Sequence, residues 1–140
     1  MERDYYLMLA KVRLDRAAEL IEEAEYLLER EAFKSANNRA FYSIEKSIKA
    51  LLATEEVEVT THNGGLKQFN YLFIHKGDGS FTAEDYKGIA RAEQIRSISD
   101  YDDFYIANKQ ETEEQVSSAA MFYEKAKNYI DRINKDKDIQ

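Results

Sequence analysis

The chain has 140 residues, 44% of them hydrophobic, no cysteine, and a formal net charge of −7 at pH 7. This length suits one domain over residues 1–140 with a single core. The absence of cysteine excludes disulfides, thiolate catalysis and cysteine-bound zinc, and it fits a reducing cytoplasm. The acidic balance excludes a nucleic-acid footprint over the whole surface, so RNA or a nucleotide would need a local basic patch.

The N-terminal region contains no apolar core of the signal-peptide type, because Arg3, Asp4, Lys11 and Arg13 interrupt it. No apolar run approaches the ~20 residues of a transmembrane helix. We therefore expect a cytoplasmic protein without a membrane segment.

Apolar residues recur at alternating spacings of three and four, which predicts long amphipathic helices. No proline and only 5 glycines interrupt them. The predicted long helices cover residues 4–30, 35–52, 82–100 and 113–134, and a short apolar helix covers 66–74. The expected fold is all-α: an up-and-down bundle of four long helices plus one short helix. A frayed tail is expected from about residue 135.

The segments between the helices contain polar, β-branched or glycine residues. Ser35 is the expected N-cap of the second helix, and Thr82 with Asp85 forms an approximate capping box for the next long helix. The connections are an extended segment at 54–61, a turn at 61–65, a loop at 77–80 and a linker at 106–112.

The second predicted helix carries a polar stripe beside its apolar one. Asn38, Arg39, Tyr42 and Lys46 make up this stripe and are the candidate binding residues. Arginine and lysine bind phosphate, and tyrosine stacks on a base or donates a hydrogen bond. The alternative is a buried polar network that joins the bundle or a dimer together.

A second candidate site lies near the end of the following long helix. Arg96 and Asp100 are four residues apart and share one helix face, and Tyr101 comes next. Asp100 can orient the Arg96 guanidinium toward a phosphate. The alternative is a surface ion pair beside a core tyrosine.

His62 is a candidate for acid–base chemistry, since histidine is the usual side chain for that work near neutral pH. It has no acidic or hydroxyl partner at a recognisable spacing, so a positioning or capping role is the alternative. Two histidines without a ligand cluster predict no metal site. No motif for a nucleotide cofactor is present, so no cofactor is expected. Among the many aromatic residues, Tyr5, Tyr6, Phe122 and Tyr123 are candidates for an oligomer face.

Three motifs in order resemble those of HEPN-domain proteins. Residues 35–42 (Ser-Ala-Asn-Asn-Arg-Ala-Phe-Tyr) resemble the second-helix signature of that family. Residues 61–64 (Thr-His-Asn-Gly) resemble the loop that follows it. Residues 96–102 (Arg-Ser-Ile-Ser-Asp-Tyr-Asp) resemble its element of arginine, three residues and Asp-Tyr. The resemblance covers roughly residues 10 to 130.

This resemblance implies a helical bundle, commonly a homodimer, often encoded beside a minimal nucleotidyltransferase as the toxin of a toxin–antitoxin pair. Many members are metal-independent RNases whose catalytic arginine and histidine meet across the dimer. The arginine corresponds to Arg96, but Tyr101 stands where the histidine is expected, and no histidine follows His75. By analogy, Tyr101 is also a candidate acceptor for nucleotidylation.

The leading hypothesis is a dimeric HEPN-type module that works with a nucleotidyltransferase in a toxin–antitoxin-like or nucleotide- or RNA-binding system. The second is a metal-independent endoribonuclease that uses Arg96 with His62 or Tyr101. Such a reaction needs a group that takes the 2′-hydroxyl proton. Arginine cannot be that base, tyrosine with an ordinary pKa near ~10 is a poor one, and Asp100 is weakened by its pairing with Arg96. The third hypothesis is a purely structural dimeric bundle.

Overall fold

The computed structural model describes residues 2–139 of the chain, with side chains described as far as residue 136. The fold is all-α, as predicted: four long helices form an up-and-down bundle, and one short helix lies between the second and third of them. The helices are α1 (Glu2–Glu29), α2 (Phe33–Thr54), α3 (His62–Phe69), α4 (Ala83–Tyr101) and α5 (Lys109–Ile139). The described residues contain no strand.

Helix α2 is the central element of the bundle, because it packs against α1, α3, α4 and α5. Its predicted apolar stripe is buried, and so are small polar residues such as Ser43 and Ser47 on its other faces. The Ser43 hydroxyl donates to the Ala17 carbonyl of α1 at 2.8 Å, which satisfies a polar group inside the core. Small side chains on α2 thus let the neighbouring helices approach it closely.

Both α1 and α2 end with a glutamate in the left-handed conformation. Glu31 has φ 61° and Glu56 has φ 58°. At the end of α1, the Ala32 N–H donates to the Leu27 carbonyl at 2.9 Å, and the Glu31 N–H donates to the Leu28 carbonyl at 3.0 Å. The end of α2 repeats this pair of bonds, so each helix closes with a Schellman motif in which glutamate takes the position usually held by glycine.

The start of α2 differs from the prediction. The helix begins at Phe33, its N-cap is Ala32, and no side chain caps it. Ser35 was expected to be the N-cap, which is wrong, because this residue lies inside the first helical turn. The Schellman motif of α1 ends only at Ala32, so the chain re-enters a helix with almost no linker.

The predicted turn at 61–65 is wrong, because α3 begins at His62 and includes both glycines. Thr61 is the N-cap, and its hydroxyl accepts from the Gly64 N–H at 2.9 Å. A cap of this strength starts a helix even over two glycines. The helix continues directly into a π-helical turn, Asn70–His75, so the short apolar helix expected at 66–74 forms its second half.

Helix α4 has the predicted capping box, in which the Thr82 N–H donates to Asp85 Oδ2 at 2.8 Å. Helix α5 begins at Lys109, earlier than the predicted residue 113, because Asn108 accepts from the Glu111 N–H at 2.7 Å and caps it. The helix continues to Ile139, so the tail expected to fray from about residue 135 has a helical backbone. No helix among the described residues is long and apolar enough to cross a membrane.

Candidate functional site around Arg96

Arg96 is a buried cation held between two carboxylates of its own helix. Its side chain is only 7% exposed. Nη2 donates to Glu93 Oε1 at 2.7 Å, and Nη1 donates to Asp100 Oδ2 at 3.3 Å. Burial by itself would lower the pKa of Arg96, but the hydrogen bonds to Glu93 and Asp100 outweigh burial and raise the pKa. The guanidinium therefore stays charged, and its orientation is fixed.

One nitrogen of this guanidinium has no partner in the part of the chain that the structure describes. Arg96 Nε is buried and has no hydrogen-bond partner among the described residues, and neither has the buried Oε2 of Glu93. An unpaired buried polar group costs on the order of 1–3 kcal/mol. Such groups are rare in folded proteins, and each one calls for a physical explanation.

A polar network joins Arg96 to the stripe on α2. Asn38 Nδ2 donates to Asp100 Oδ1 at 3.3 Å, and Asn38 Oδ1 accepts from Arg39 Nη1 at 2.6 Å. Arg39 Nε then donates to Glu23 of α1 at 3.1 Å. Three helices thus contribute to one connected network, and the predicted residues Asn38, Arg39, Arg96 and Asp100 all belong to it.

His62 and Arg96 lie against the same aromatic ring, that of Phe41. Arg96 Cζ is 5.0 Å from the ring centroid, which is cation–π distance. The His62 ring packs edge-on to Phe41 at 5.5 Å, and Tyr42 packs on it at 5.5 Å. His62 Nδ1 is also paired with a carboxylate oxygen of Glu45 on α2. The structure therefore supplies the acidic partner of His62 that the sequence pattern did not show.

The side chains of the two remaining candidate residues make no hydrogen bond to this network. Tyr101 is the last residue of α4 and is 78% exposed, and its side chain has no hydrogen bond or ring contact with the described residues. Lys46 lies one turn beyond Tyr42 and lines a cleft of about 210 Å³ with Arg16, Leu20, Asn38, Arg39 and Tyr42. Burial, and then the charges of Lys49, Arg13 and Arg16, lower the pKa of Lys46.

Two residues of the site did not stand out in the sequence, Glu93 and Glu23. Phe41 is part of the motif at residues 35–42, and Glu45 lies close to the polar stripe of α2. Glu93 precedes Arg96 by three residues, a spacing that predicts a helical ion pair. No local spacing predicts the pairing of Glu45 with His62 or of Glu23 with Arg39, because each joins two helices.

Phe122, a candidate for an oligomer face, is instead buried in the core. The described residues contain no group of three or more acidic or histidine side chains able to hold a metal ion.

Comparison with known proteins identifies the family. The HEPN domain family model matches residues 10–129, which include every residue of the network. "Putative toxin MJ0142" of Methanocaldococcus jannaschii is 32% identical over 130 residues, which cover 93% of this chain and 86% of that protein. "Putative toxin MJ0605" of the same organism is 32% identical over 123 residues, covering 87% and 84%. A "UPF0332 protein" of Thermotoga maritima is 26% identical over 120 residues, covering 86% and 89%. This chain belongs to the HEPN domain family.

Proposed function

We propose that this protein is the toxin of a toxin–antitoxin pair, that it acts as a homodimer, and that its partner is a nucleotidyltransferase. Its site of action on RNA or a nucleotide is the network around Arg96. The observation that carries the proposal is the buried Arg96 guanidinium, fixed by Glu93 and Asp100 and linked by Asn38 to the motif of α2. The names of two relatives support the toxin role.

A regulatory role for Tyr101 fits its place in the structure. The exposed side chain at the end of α4 is open to an approaching enzyme. A nucleotidyltransferase would join the Tyr101 hydroxyl oxygen to the α-phosphorus of a nucleoside triphosphate. The bond to the β-phosphate breaks, pyrophosphate leaves, and the phenolic proton is released. The bulky anionic product next to Asp100 would block the network.

The test is induced expression in a bacterial host, with and without the nucleotidyltransferase gene, if one lies beside this gene. We expect growth arrest from the wild type, relief by Arg96→Lys, and relief by the partner. The matched control is Arg91→Lys, which alters an arginine of the same helix that is 57% exposed and pairs with Glu111 at 3.6 Å. If the wild type causes no growth arrest, the proposed toxin role is wrong. If Arg96→Lys and Arg91→Lys relieve the arrest equally, the proposed site is wrong.

A metal-independent endoribonuclease is the second candidate function, and the placement of His62 favours it. His62 is paired with Glu45 and shares the Phe41 ring with Arg96. The imidazole would take the 2′-hydroxyl proton and the 2′-oxygen would attack phosphorus to form a 2′,3′-cyclic phosphate. The bond from phosphorus to the 5′-oxygen would break, and that oxygen would take a proton from solvent water. Arg96 would stabilise the charge on the phosphorane.

This candidate is tested by incubating the purified protein with RNA in the presence of a chelator. His62→Gln should abolish cleavage, whereas His75→Gln should not. His75 is the matched control because it stacks on Tyr71, in the π-helical turn, with ring centroids 6.0 Å apart. If the wild type does not cleave RNA, the nuclease hypothesis is wrong, and the proposed toxin would act by binding.

A further inference from the structure

The cleft between α1 and α2 is lined by three cations, Arg16, Arg39 and Lys46, although the chain as a whole is acidic. The chain carries a net charge of −7, yet the charges of Lys49, Arg13 and Arg16 all act on Lys46 here. Arg13 is itself paired with Glu58 and Lys49 with Glu45, and both of these cations lie outside the lining of the cleft. Lys46 has no ion pair or hydrogen bond among the described residues, and every charge that shifts its pKa is positive. A half-buried lysine without a carboxylate partner of its own is stabilised by an anion that binds beside it.

The neighbouring arginines are paired with carboxylates of α1. Arg16 Nη1 donates to Glu23 Oε2 at 2.8 Å, and Arg39 Nε donates to Glu23 Oε1 at 3.1 Å. Arg16 Nη1 also lies 3.9 Å from Glu19 Oε2, so the two guanidinium groups face two carboxylates and share Glu23. Their side chains are 44% and 40% exposed, so each has donors left for a ligand in the cleft.

The cleft continues toward Arg96. It shares Asn38 and Arg39 with a second cleft of about 320 Å³, which is also lined by Lys34, Ser35, Ser99 and Asp100. The wall of the first cleft includes Tyr42, whose ring packs on Phe41, and the Arg96 guanidinium lies against the same phenylalanine. A strand that enters beside Lys46 would thus pass an aromatic side chain and reach the Arg96 network.

We propose that the α1–α2 cleft, with Lys46, Arg16 and Arg39 as its cations, binds the phosphodiester backbone of single-stranded RNA and leads that strand to Arg96. The inference rests on the proposed function, because it assigns a path to the RNA on which the toxin acts. Cations that follow the backbone, together with an aromatic side chain for stacking, are the features of single-strand binding surfaces.

The experiment is a fluorescence anisotropy titration of the full chain with a labelled oligouridine of about 12 nucleotides. We expect Lys46→Met to weaken binding about 3–10-fold and to reduce the slope of log affinity against log salt by about 0.7, the loss of one phosphate contact. Arg16→Met, a second variant in the same cleft, should act in the same direction. Lys67→Met, at an exposed lysine of α3, is the matched control and should bind like the wild type.

Three results would overturn the inference: equal affinity of Lys46→Met and the wild type, equal loss in Lys67→Met, or competition by an acidic peptide as strong as that by unlabelled RNA. Competition by inorganic phosphate or ATP alone, at the same phosphate concentration, would assign the cleft to free phosphates instead. The growth assay separates this inference from the proposed function. Weaker RNA binding in Lys46→Met supports the cleft even if Arg96→Lys stays toxic, and toxicity that depends on Arg96 stands even if the cleft binds no RNA.

Discussion

Arg96 is the residue whose loss should disturb the structure most. Arg96→Ala would leave the Glu93 and Asp100 carboxylates without their cation and would open space beside Phe41. Breaking a buried pair costs more than the pair contributes, so we expect the free energy of unfolding to fall by about 2–3 kcal/mol, after allowing for the partial exposure of both carboxylates. Urea denaturation followed by circular dichroism measures this change.

The control for that measurement is Arg91→Ala on the same helix. Its ion pair with Glu111 is solvent-exposed on the arginine side, and such pairs contribute little. We expect a change within about 0.5 kcal/mol. Equal losses in the two variants would contradict the expectation that removal of a buried cation from its carboxylates costs more than removal of an exposed one.

Replacement of Lys46 should raise the free energy of unfolding, whereas replacement of Arg96 should lower it. Its pKa is lowered in the folded state, first by burial and then by Lys49, Arg13 and Arg16, so its charged form opposes folding. This unfavourable contribution is complete at neutral pH. It disappears as the pH rises through the folded pKa toward the ordinary value of 10.5. Lys46→Met should therefore raise the free energy of unfolding at pH 7, and the gain should shrink as the pH approaches that value.

The measurement is again urea denaturation, repeated over a pH series, with Lys67→Met as the control. If Lys46→Met is more stable than the wild type but binds RNA more weakly, then Lys46 contributes to RNA binding at the expense of stability. A loss of stability at pH 7 would show instead that the lysine stem packs better than methionine does.

The sequence predicts the residues of the site better than their partners. Asn38, Arg39, Arg96 and Asp100 are identifiable because helical spacing places them on common faces. The pairings of Glu45 and Glu23 are not, since their partners His62 and Arg39 lie on other helices. Only the packing of α1, α3 and α4 around α2 brings these side chains together.

At the scale of the elements, the ends of α1 and α2 offer a simple test of backbone conformation. Glu31 adopts a positive φ that glycine takes up readily and that other residues adopt only at a cost in backbone strain. Glu31→Gly should raise the free energy of unfolding by about 0.5–1 kcal/mol, because relief of the left-handed conformation outweighs the greater freedom of the unfolded chain. Glu25→Gly, inside the same helix, is the matched control and should lower it by about 1 kcal/mol.

A thermal or urea denaturation series distinguishes the two substitutions, since each exchanges a glutamate for glycine. If Glu31→Gly were as destabilising as Glu25→Gly, the glutamate side chain would be making a contact that offsets its backbone strain.

The periodicity of apolar residues predicted the helices but not all of their ends. The capping box of Thr82 and Asp85 is visible in the sequence because both of its members are present at the required spacing. The start of α3 at His62 was missed because two glycines suggested a turn, whereas the Thr61 cap prevails. A helix end depends on a few side-chain bonds, so it is less regular than the pattern along the helix.

At the scale of the whole molecule, the Arg96 network and the cleft between α1 and α2 adjoin each other. The network extends from α4 through α2 to Glu23 of α1, and Asn38 and Arg39 belong both to the network and to the lining of the cleft. Because α2 contributes to both, its motif residues serve the two regions at once. The net charge of the chain does not reveal the cations of the cleft, because carboxylates elsewhere outnumber them.

The segment after α4 carries the most exposed apolar side chains of the described residues. Phe104 is 94% exposed and Ile106 is 87% exposed, close to Asp100 of the network. Large exposed apolar groups in one segment are typical of interaction surfaces. In the proposed homodimer we expect this segment to be covered by the partner copy. Replacing Phe104 and Ile106 together by aspartate should leave monomer stability within about 0.5 kcal/mol, because neither side chain packs in the monomer.

The same double variant should weaken the dimer about 10-fold or more, since each aspartate would place a desolvated charge in the interface. Sedimentation equilibrium at several protein concentrations measures this effect.

The alternative surface is the outer face of α1, where Tyr5 and Met8 are also exposed, and Met8→Asp tests it. Met121→Asp, at an equally exposed methionine of α5, is the control for adding a charge. A dimer sensitive only to Met8→Asp would place the interface on α1, far in sequence from Tyr101. A wild type that stays monomeric throughout would contradict the homodimer itself.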